Sequence, residues 1–275
     1  MSKIYLNGEI LDQGEARIDP ADRGFLLADG LFETLRVYGG KPFRLDAHLT
    51  RLAAGAGEIG IPAPPAAEIE AAVSATLHAN DLVAGTIRIT LTRGAGPRGL
   101  LPPAEVKATL MIAAHPLPPL PGALSARVVA IRRNEHSPLP RLKSLAYLDN
   151  ILALREAAAA GCDEAILLNT AGRISGGSRS NLFLVLDGIL ITPPPSEGLL
   201  AGIARQTVLD LAAAEDIPFR EAALTPNELA WASEAFVTNS LLEVMPLTRI
   251  QDRALLEGPV TEILARLYRE QTARC

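Results

Sequence analysis

Hydrophobic and polar positions follow both strand and helix periodicities along this chain, so the sequence predicts a mixed α and β protein. Ile87, Ile89 and Leu91 alternate with polar residues, which predicts a half-buried strand. A β-leaning run over 106–114 follows a glycine-rich loop and predicts its antiparallel partner. Apolar residues at helical spacing predict an amphipathic helix over 45–58.

The second half of the chain repeats this mixture. Strands are predicted over 126–131, 164–168, 181–186, 189–192 and 235–238, and helices over 148–160 and 203–214. In the first of these helices one face is shared by Tyr147, Ile151, Leu154 and Ala158. Asp187-Gly188 between two apolar runs predicts a β-hairpin. Because strands cluster instead of alternating strictly with helices, the pattern favours an α+β fold.

A proline-rich stretch separates the two halves. Residues 116–122 contain four prolines, too many for a sheet ladder or a helix interior, and such chain is stiff and extended. We therefore predict a smaller N-terminal domain over 1–115, a linker over 116–122 and a larger C-terminal domain over 123–275. The same stretch also fits a PxxP ligand for a partner's aromatic groove.

Composition narrows the function classes. The 275 residues carry a net charge of −5, with 48% hydrophobic and 21% charged residues, as in an ordinary globular protein. The acidic balance argues against a broad nucleic-acid surface, and no apolar run is long enough to span a membrane. The N-terminus has no secretory apolar run. We expect a soluble, cytoplasmic protein.

The metal-binding and redox residues are few. With two cysteines, Cys162 and Cys275, a disulfide framework and a cysteine-rich zinc site are excluded. The four histidines have no metal-ligand spacing, so we predict no metal site. Glycines at 94, 96 and 99 match G-x-G-x-x-G, but prolines follow where a dinucleotide-binding fold needs a helix, so the match is accidental.

Lysine is scarce, with four lysines against 22 arginines. Lys3, Lys41 and Lys107 fall at a terminus, in a turn and beside a strand, where solvation explains them. Lys143 instead lies among apolar residues just ahead of a predicted helix. Desolvation frees an amine as a nucleophile, so Lys143 is a candidate for Schiff-base chemistry, although a lysine that snorkels from a helix start would give the same pattern.

Seven short motifs occur together in order along the chain. They are 22–25 (DRGF), 29–34 (DGLFET), 48–52 (HLTRL), 143–145 (KSL), 178–183 (SRSNLF), 200–205 (LAGIAR) and 236–240 (FVTNS). In this set the chain resembles the fold-type-IV, class-IV family of pyridoxal-phosphate (PLP) enzymes. That family includes D-amino-acid and branched-chain aminotransferases and aminodeoxychorismate lyases. The resemblance extends from Asn7 to about Ile250 and implies the two-domain architecture of D-amino-acid aminotransferases.

The resemblance implies roles for several residues. Lys143 matches the lysine that holds PLP covalently and moves the substrate Cα proton, and Arg51 matches an arginine on the cofactor phosphate. Ile203 and Ala204 match a turn that opens a helix onto that phosphate, with alanine where the family usually has threonine. Four further positions complete the implied cofactor and catalytic set: Tyr147 at the cofactor O3′, Ser240 on the phosphate with Leu241 beside it, and Thr34 near the bond that a lyase breaks.

Gly176 is the main departure from the family pattern. Family members usually carry at this position a glutamate that keeps the cofactor ring nitrogen protonated. A pyridinium draws electrons from the reacting carbon, so its loss implies weak or altered activity unless Arg179, a water or another carboxylate compensates.

The family motifs indicate the cofactor better than the reaction. By resemblance Arg98 binds a substrate carboxylate, and Phe32 and Leu100 stand where D-amino-acid aminotransferases have tyrosine and histidine. Thr34 is lyase-like, whereas the 143–145 motif is closer to the aminotransferases. We expect an aminotransferase for small amino acids, D-amino acids included, and 2-oxo acids. The alternatives are an aminodeoxychorismate lyase and a non-catalytic PLP-binding relative. The resemblance also implies a homodimer.

Overall fold

A computed structural model describes residues 2–105 and 107–275, and it divides into two compact units. Of the described residues, unit 1 comprises 2–105, 107–118, 142–146 and Cys275, and unit 2 comprises 119–141 and 147–274. The change of unit at 118/119 falls inside the predicted linker. Residues 142–146 pack with unit 1 and not with the C-terminal part, because they pair with a strand of that unit through the bridge between Leu31 and Ser144.

Unit 1 is built on a six-stranded antiparallel sheet of order β2-β1-β6-β5-β3-β4. The strands are β1 (Lys3–Leu6), β2 (Glu9–Asp12), β3 (Gly30–Tyr38), β4 (Lys41–Pro42), β5 (Gly85–Thr92) and β6 (Thr109–His115). The helices are α1 (Arg23–Leu27), α2 (Leu45–Ile59) and α3 (Ala66–Ala79). The apolar sides of α2 and α3 pack on one face of this sheet and form the core of the unit.

Unit 2 is built on a nine-stranded mixed sheet of order β12-β11-β10-β13-β14-β7-β8-β9, with β15 also paired to β14. The strands are β7 (Leu124–Arg133), β8 (Glu164–Asn169), β9 (Ile174–Gly177), β10 (Asn181–Leu186), β11 (Ile189–Thr192), β12 (Phe219–Glu221), β13 (Glu234–Asn239), β14 (Glu243–Ile250) and β15 (Arg253–Ala254). The helices are α4 (Leu148–Ala159), α5 (Ile203–Ala214), α6 (Pro226–Trp231) and α7 (Pro259–Thr272). No helix of the described residues is long and apolar enough to cross a membrane.

The α+β class and the elements predicted from periodicity are confirmed. The predicted helices correspond to α2, α4 and α5, and β5 and β6 form the predicted antiparallel pair. Of the β-leaning run over 106–114, Val106 lies outside the described residues and β6 begins at Thr109. Asp187 and Gly188 both have positive φ and join β10 to β11, as in the predicted hairpin.

The face of α4 that is buried is not the one shared by Tyr147, Ile151, Leu154 and Ala158. Ile151 and Ala158 are exposed, whereas Ala153 and Ala157 are buried. Their small side chains let α4 pack closely on β7 and β8, in a cluster with Val129 and other residues. The buried face of α4 is lined by alanines because the helix packs closely on the sheet. A prediction based on the positions of large apolar residues does not identify that face.

Candidate active site

Lys143 is fixed to the sheet of unit 1 by backbone pairing with β3. The Phe32 amide donates to the Lys143 carbonyl over 2.9 Å, and the Leu145 amide donates to the Gly30 carbonyl over 3.0 Å. This pairing holds the Lys143 Nζ 4.4 Å from the centroid of the Phe32 ring, a cation–π distance. Although the predicted site lysine lies outside regular secondary structure, its amine is therefore held against a buried aromatic ring.

Phe32 also contacts a second cation. The Arg88 Cζ lies 3.8 Å from the centroid of the same ring. Arg88 stands on β5 directly opposite Thr34 of β3, and alternation along β3 puts Thr34 on the same sheet face as Phe32. An amine, a guanidinium and a hydroxyl therefore share this face around one ring, a combination suited to binding an anion beside a nucleophile.

The opposite side of β3 carries a buried ionic cluster. Glu33 falls on the face that also bears Leu31 and Leu35. Its carboxylate accepts hydrogen bonds from Arg51 Nε over 2.8 Å and Arg51 Nη2 over 2.7 Å. His48 Nδ1 lies 2.6 Å from Glu33 Oε2. His48 and Arg51 are three residues apart on α2, so both reach the same carboxylate.

Burial and hydrogen bonding set the protonation states of Glu33 and His48 in this cluster. Burial alone would raise the pKa of Glu33, but hydrogen bonds from Arg51 and His48 outweigh it and hold that pKa at about 2. Burial lowers the pKa of His48, against the opposing effect of Glu33. At pH 7 His48 is therefore neutral, and its Nδ1 carries the hydrogen because a carboxylate only accepts. The remaining charges, on Glu33 and Arg51, balance.

Arg98 belongs neither to the group around the Phe32 ring nor to the Glu33 cluster, as far as the described contacts go. It is exposed in the loop after β5, as is Leu100. Arg23 holds the loop by donating to the Gly99 and Leu100 carbonyls, over 2.8 Å each. The loop does not open a helix, which agrees with an accidental glycine motif.

In unit 2 a second group of polar residues lies at the end of β7, at the start of α4 and on β9. Tyr147 immediately precedes the first turn of α4 and is half-buried. Arg133, at the end of β7, donates to the Asn150 Oδ1 over 3.0 Å and to the Gly177 carbonyl over 2.7 Å. Gly176 lies on β9 with φ +128°, a conformation that favours glycine. Arg133 was not predicted as a site residue.

The first turn of α5 has the features of an anion site. Ile203 and Ala204 open the helix, and Gly202 before them supplies no side-chain cap. Gly202 has no room for a side chain, since a Cβ there would meet the Asn181 Oδ1. The first amides of a helix have no intrahelical acceptor, and Ala204 is buried, so these donors need an acceptor from elsewhere.

Ser240 and Leu241 lie in the turn after β13. The Asn239 Oδ1 accepts from the Leu241 amide over 2.9 Å and from the Leu242 amide over 2.7 Å, which fixes the turn. On β13 itself the buried Thr238 Oγ1 has no hydrogen-bond partner among the described residues. Thr238 pairs in register with Asn181, the residue that contacts Gly202, so this hydroxyl is on the sheet face that leads to the start of α5.

Sequence reasoning missed Glu33, His48, Arg88 and Arg133. Of these, Glu33 carried a usable signal, because it is a charged residue between two apolar ones on the core face of an alternating strand. Arg88 occupies an ordinary polar position of β5, and Arg133 ends a strand. Their roles depend on tertiary neighbours that no local pattern encodes.

Comparison with known proteins decides the family. The family model for amino-transferase class IV matches residues 30–250. The chain belongs to the class IV aminotransferase family. This match contains β3, Arg51, Lys143, β9, α5 and β13, the parts of the chain that carry most of the candidate site residues.

Three relatives illustrate the reactions known in the family. A Methanocaldococcus jannaschii protein provisionally named a branched-chain-amino-acid aminotransferase is 39% identical over 96% of this chain and 93% of its own length. The D-alanine aminotransferase of Staphylococcus epidermidis is 33% identical over 97% of this chain and 95% of its own length. The aminodeoxychorismate lyase of Bacillus subtilis is 32% identical over 98% of this chain and 94% of its own length.

The fold agrees with that of solved class IV aminotransferases. The branched-chain aminotransferase of Thermoproteus uzoniensis, solved with norvaline, superimposes with a TM-score of 0.94 at 35% identity. The match covers 99% of this chain and 95% of that protein. The two-unit α+β architecture of this class IV aminotransferase is therefore that of the fold-type-IV enzymes, and the family is PLP-dependent.

Proposed function

We propose that this class IV aminotransferase binds PLP through Lys143 and moves an amino group between a small amino acid and a 2-oxo acid. The observation that carries the proposal is the Lys143 amine held 4.4 Å from the Phe32 ring centroid, with the Arg88 guanidinium over the same ring. A primary amine is needed to attach the cofactor, and a nearby cation suits an acidic substrate.

By the family resemblance, residues of unit 2 are our candidates for the other parts of PLP. The uncapped, buried first turn of α5 suits a phosphate, because its amides and the helix dipole favour an anion. The unpartnered Thr238 hydroxyl gives a further reason to expect a polar ligand near this turn. We assign the phosphate to Ile203, Ala204 and Ser240, with Leu241 beside them, and the O3′ oxygen to Tyr147.

Within that arrangement the chain's own groups bind, orient and transfer a proton. When bound, PLP supplies the electron sink that makes the substrate Cα acidic. Lys143 takes that proton on Nζ and returns it, a role that a primary amine can perform. Phe32 limits where the amine moves, and the arginines bind carboxylates.

We also assign Arg51 to the cofactor phosphate. The positive charge of Arg51 is already balanced by the Glu33 carboxylate. Its guanidinium is oriented by two hydrogen bonds, so it presents a fixed edge and not a mobile cation. This assignment makes Glu33 and His48 positioning residues for Arg51.

The cationic face of unit 1 supports an acceptor with two carboxylates, such as 2-oxoglutarate. Arg98 is the candidate for the carboxylate next to the reacting carbon. Arg88 is then the candidate for the second, distal carboxylate, since it lies beside Lys143 on the same sheet face.

A lyase reaction is the second candidate. Thr34 shares the sheet face of Phe32 and stands opposite Arg88, so its hydroxyl is on the side that carries the Lys143 amine. This supports a role for Thr34 in protonating a leaving fragment, as an aminodeoxychorismate lyase requires.

We also propose a homodimer that acts in the cytoplasm. Phe25 and Leu26 of α1 are 78% and 54% exposed, and Leu100 and Leu101 of the neighbouring loop are 84% and 88% exposed. Arg23 ties the two segments together, so they form one apolar patch. A patch of this kind is typical of an interface between subunits.

The test offers the PLP-loaded protein four substrate sets: D-alanine, L-leucine and L-glutamate, each with a 2-oxo acid acceptor, and aminodeoxychorismate alone. Amino transfer from any of the three donors supports the aminotransferase, and the donor that reacts defines the handedness. Formation of 4-aminobenzoate supports the lyase, because pyruvate alone arises from D-alanine too. Bound PLP without any turnover would instead support a binding protein.

A further inference from the structure

Position 176 faces a guanidinium and no carboxylate. A Cβ built on Gly176 would lie 3.8 Å from Arg133 Nη1 and 3.3 Å from the Ser180 carbonyl oxygen. No other atom of the described residues lies within 4 Å of that Cβ position, if the two chain neighbours of Gly176 are left aside. The neighbours are Ser175 and Gly177, so no acidic side chain stands at this place.

Arg133 is anchored so that it retains donors. Its Nη2 donates to Asn150 Oδ1 and to the Gly177 carbonyl, and its Nη1 makes a long 3.4 Å contact with Ser175 Oγ. A guanidinium has five N–H groups. Two of them, on Nε and Nη1, therefore have no acceptor within the part of the chain that the structure describes.

The carboxylate of Glu164, the first residue of the neighbouring strand β8, already accepts several hydrogen bonds. Glu164 faces Gly177, whose Cβ would lie 3.2 Å from its Cδ. Successive residues of a strand face opposite ways, so Glu164 is on the other side from position 176. Its oxygens accept from Ser178, Ser180 and the Ala165 amide. Glu164 is therefore not placed to hold a proton on a ligand at position 176.

We propose that this chain holds PLP with its ring nitrogen unprotonated, and that Arg133 is the residue that keeps it so. The inference rests on the proposed function and on the resemblance that puts position 176 at the ring nitrogen. A guanidinium donates a hydrogen bond to a neutral ring nitrogen, and its positive charge disfavours a second positive charge beside it. Either an acidic residue or an arginine serves as partner to this nitrogen in PLP proteins.

An unprotonated ring nitrogen increases the part that the chain's own residues play in removing the substrate proton. A neutral ring withdraws less electron density from the substrate Cα than a pyridinium does. Proton removal then depends more on Lys143 and on the groups that bind the substrate. We expect a slow half-reaction with a chemistry that remains aminotransferase-like.

The test uses the full-length protein loaded with PLP that carries ¹⁵N in the ring. The ring-nitrogen resonance of the wild type is expected at the position of an unprotonated pyridine, constant from pH 6 to 9. In Arg133→Met the resonance is expected to move with pH, because the repelling charge is gone. Arg133→Lys is expected to retain the wild-type behaviour in part, and Arg132→Met, a neighbouring exposed arginine, to retain it fully.

A second measurement changes the cofactor and follows its binding to the protein. The dissociation constant of PLP is compared with that of an analogue in which the ring nitrogen is replaced by CH. A hydrogen bond from a charged donor predicts about 10- to 100-fold weaker binding of the analogue to the wild type. The difference is expected to disappear in Arg133→Met.

The outcomes separate the two proposals. A pyridinium resonance in the wild type, or equal resonances and equal affinity ratios in wild type and Arg133→Met, overturns the inference about Arg133. In that case borohydride trapping of PLP on Lys143 would still leave the proposed function intact. If PLP is not trapped on Lys143 at all, the proposed function is wrong and the inference falls with it.

Discussion

The Glu33 carboxylate and the Arg51 guanidinium form a two-bond ion pair in which the Glu33 side chain is 1% exposed and the Arg51 side chain 17%. The pair joins β3, the strand beside Lys143, to α2. A buried pair of this kind contributes little net stability, but breaking it is expensive because it leaves one charge without a partner. The arrangement therefore fixes the position of Arg51 more than it strengthens the fold.

Acid is expected to unfold the protein through this pair. The folded-state pKa of Glu33, about 2, lies below the ordinary value of 4.5, so the stabilisation is complete above pH 4.5 and is lost as the pH falls towards 2. The loss amounts to roughly 3 kcal/mol. Urea unfolding from pH 6 to pH 2 measures it. The matched control is the double variant Glu33→Gln, Arg51→Met, and an equally steep loss in that variant contradicts the assignment.

Arg88→Met is expected to discriminate between acceptors. Loss of a charged hydrogen-bonding group costs about 1.5–3 kcal/mol, so KM for 2-oxoglutarate rises about 10- to 100-fold. Pyruvate has no distal carboxylate, and its KM is expected to change less than about threefold. Steady-state kinetics with both acceptors and one donor measures the ratio. Equal increases for the two acceptors would assign Arg88 to the shared carboxylate instead.

Gly176→Ala is expected to destabilise the fold. At φ +128° any Cβ strains the backbone, with a cost of about 1–3 kcal/mol. Gly122→Ala is the matched control, because Gly122 has no positive φ and nothing within 4 Å of its Cβ. Thermal unfolding of the PLP-loaded variants compares them. Since Gly176→Glu carries the same strain, it is not a clean way to restore an acidic group there. Equal melting temperatures for both alanine variants would show that position 176 is relaxed.

The apolar patch predicts the assembly state. The double variant Leu100→Glu, Leu101→Glu puts charges on residues that are 84% and 88% exposed in the single chain, so the fold itself is expected to be retained. Sedimentation velocity is expected to show a dimer for the wild type and a monomer for the variant. Val83→Glu, also on an exposed apolar residue of unit 1, is the control and is expected to remain dimeric. If the Leu100→Glu, Leu101→Glu variant stays dimeric, the subunit interface lies elsewhere on the surface.

Local patterns predicted the regular elements well and the site only in part. The helix over 45–58 and the hairpin at Asp187-Gly188 follow from periodicity and turn chemistry that neighbouring residues encode. The long strand β3 was not predicted, because Glu33 and Thr34 interrupt its apolar alternation. That interruption is itself the ionic and polar part of the candidate site.

Contacts between distant segments could not be predicted without a fold. Lys143 was identified from its apolar surroundings and the family motifs, but its pairing with β3 joins residues more than 100 positions apart. Arg133 and Gly176 are also distant in sequence, and they meet only because the end of β7 lies beside β9 in the folded chain. The family resemblance implied that a glutamate is missing at position 176, and only the fold showed that Arg133 lies beside that place.

The central claim is that Lys143 carries the cofactor. The most direct measurement reduces the PLP-loaded protein with borohydride and maps the phosphopyridoxyl group by peptide mass spectrometry. The account predicts one modified residue, Lys143, and none on Lys3, Lys41 or Lys107, with no modification in Lys143→Ala. Labelling of another lysine, or the absence of any label in a protein that has bound PLP, would contradict it.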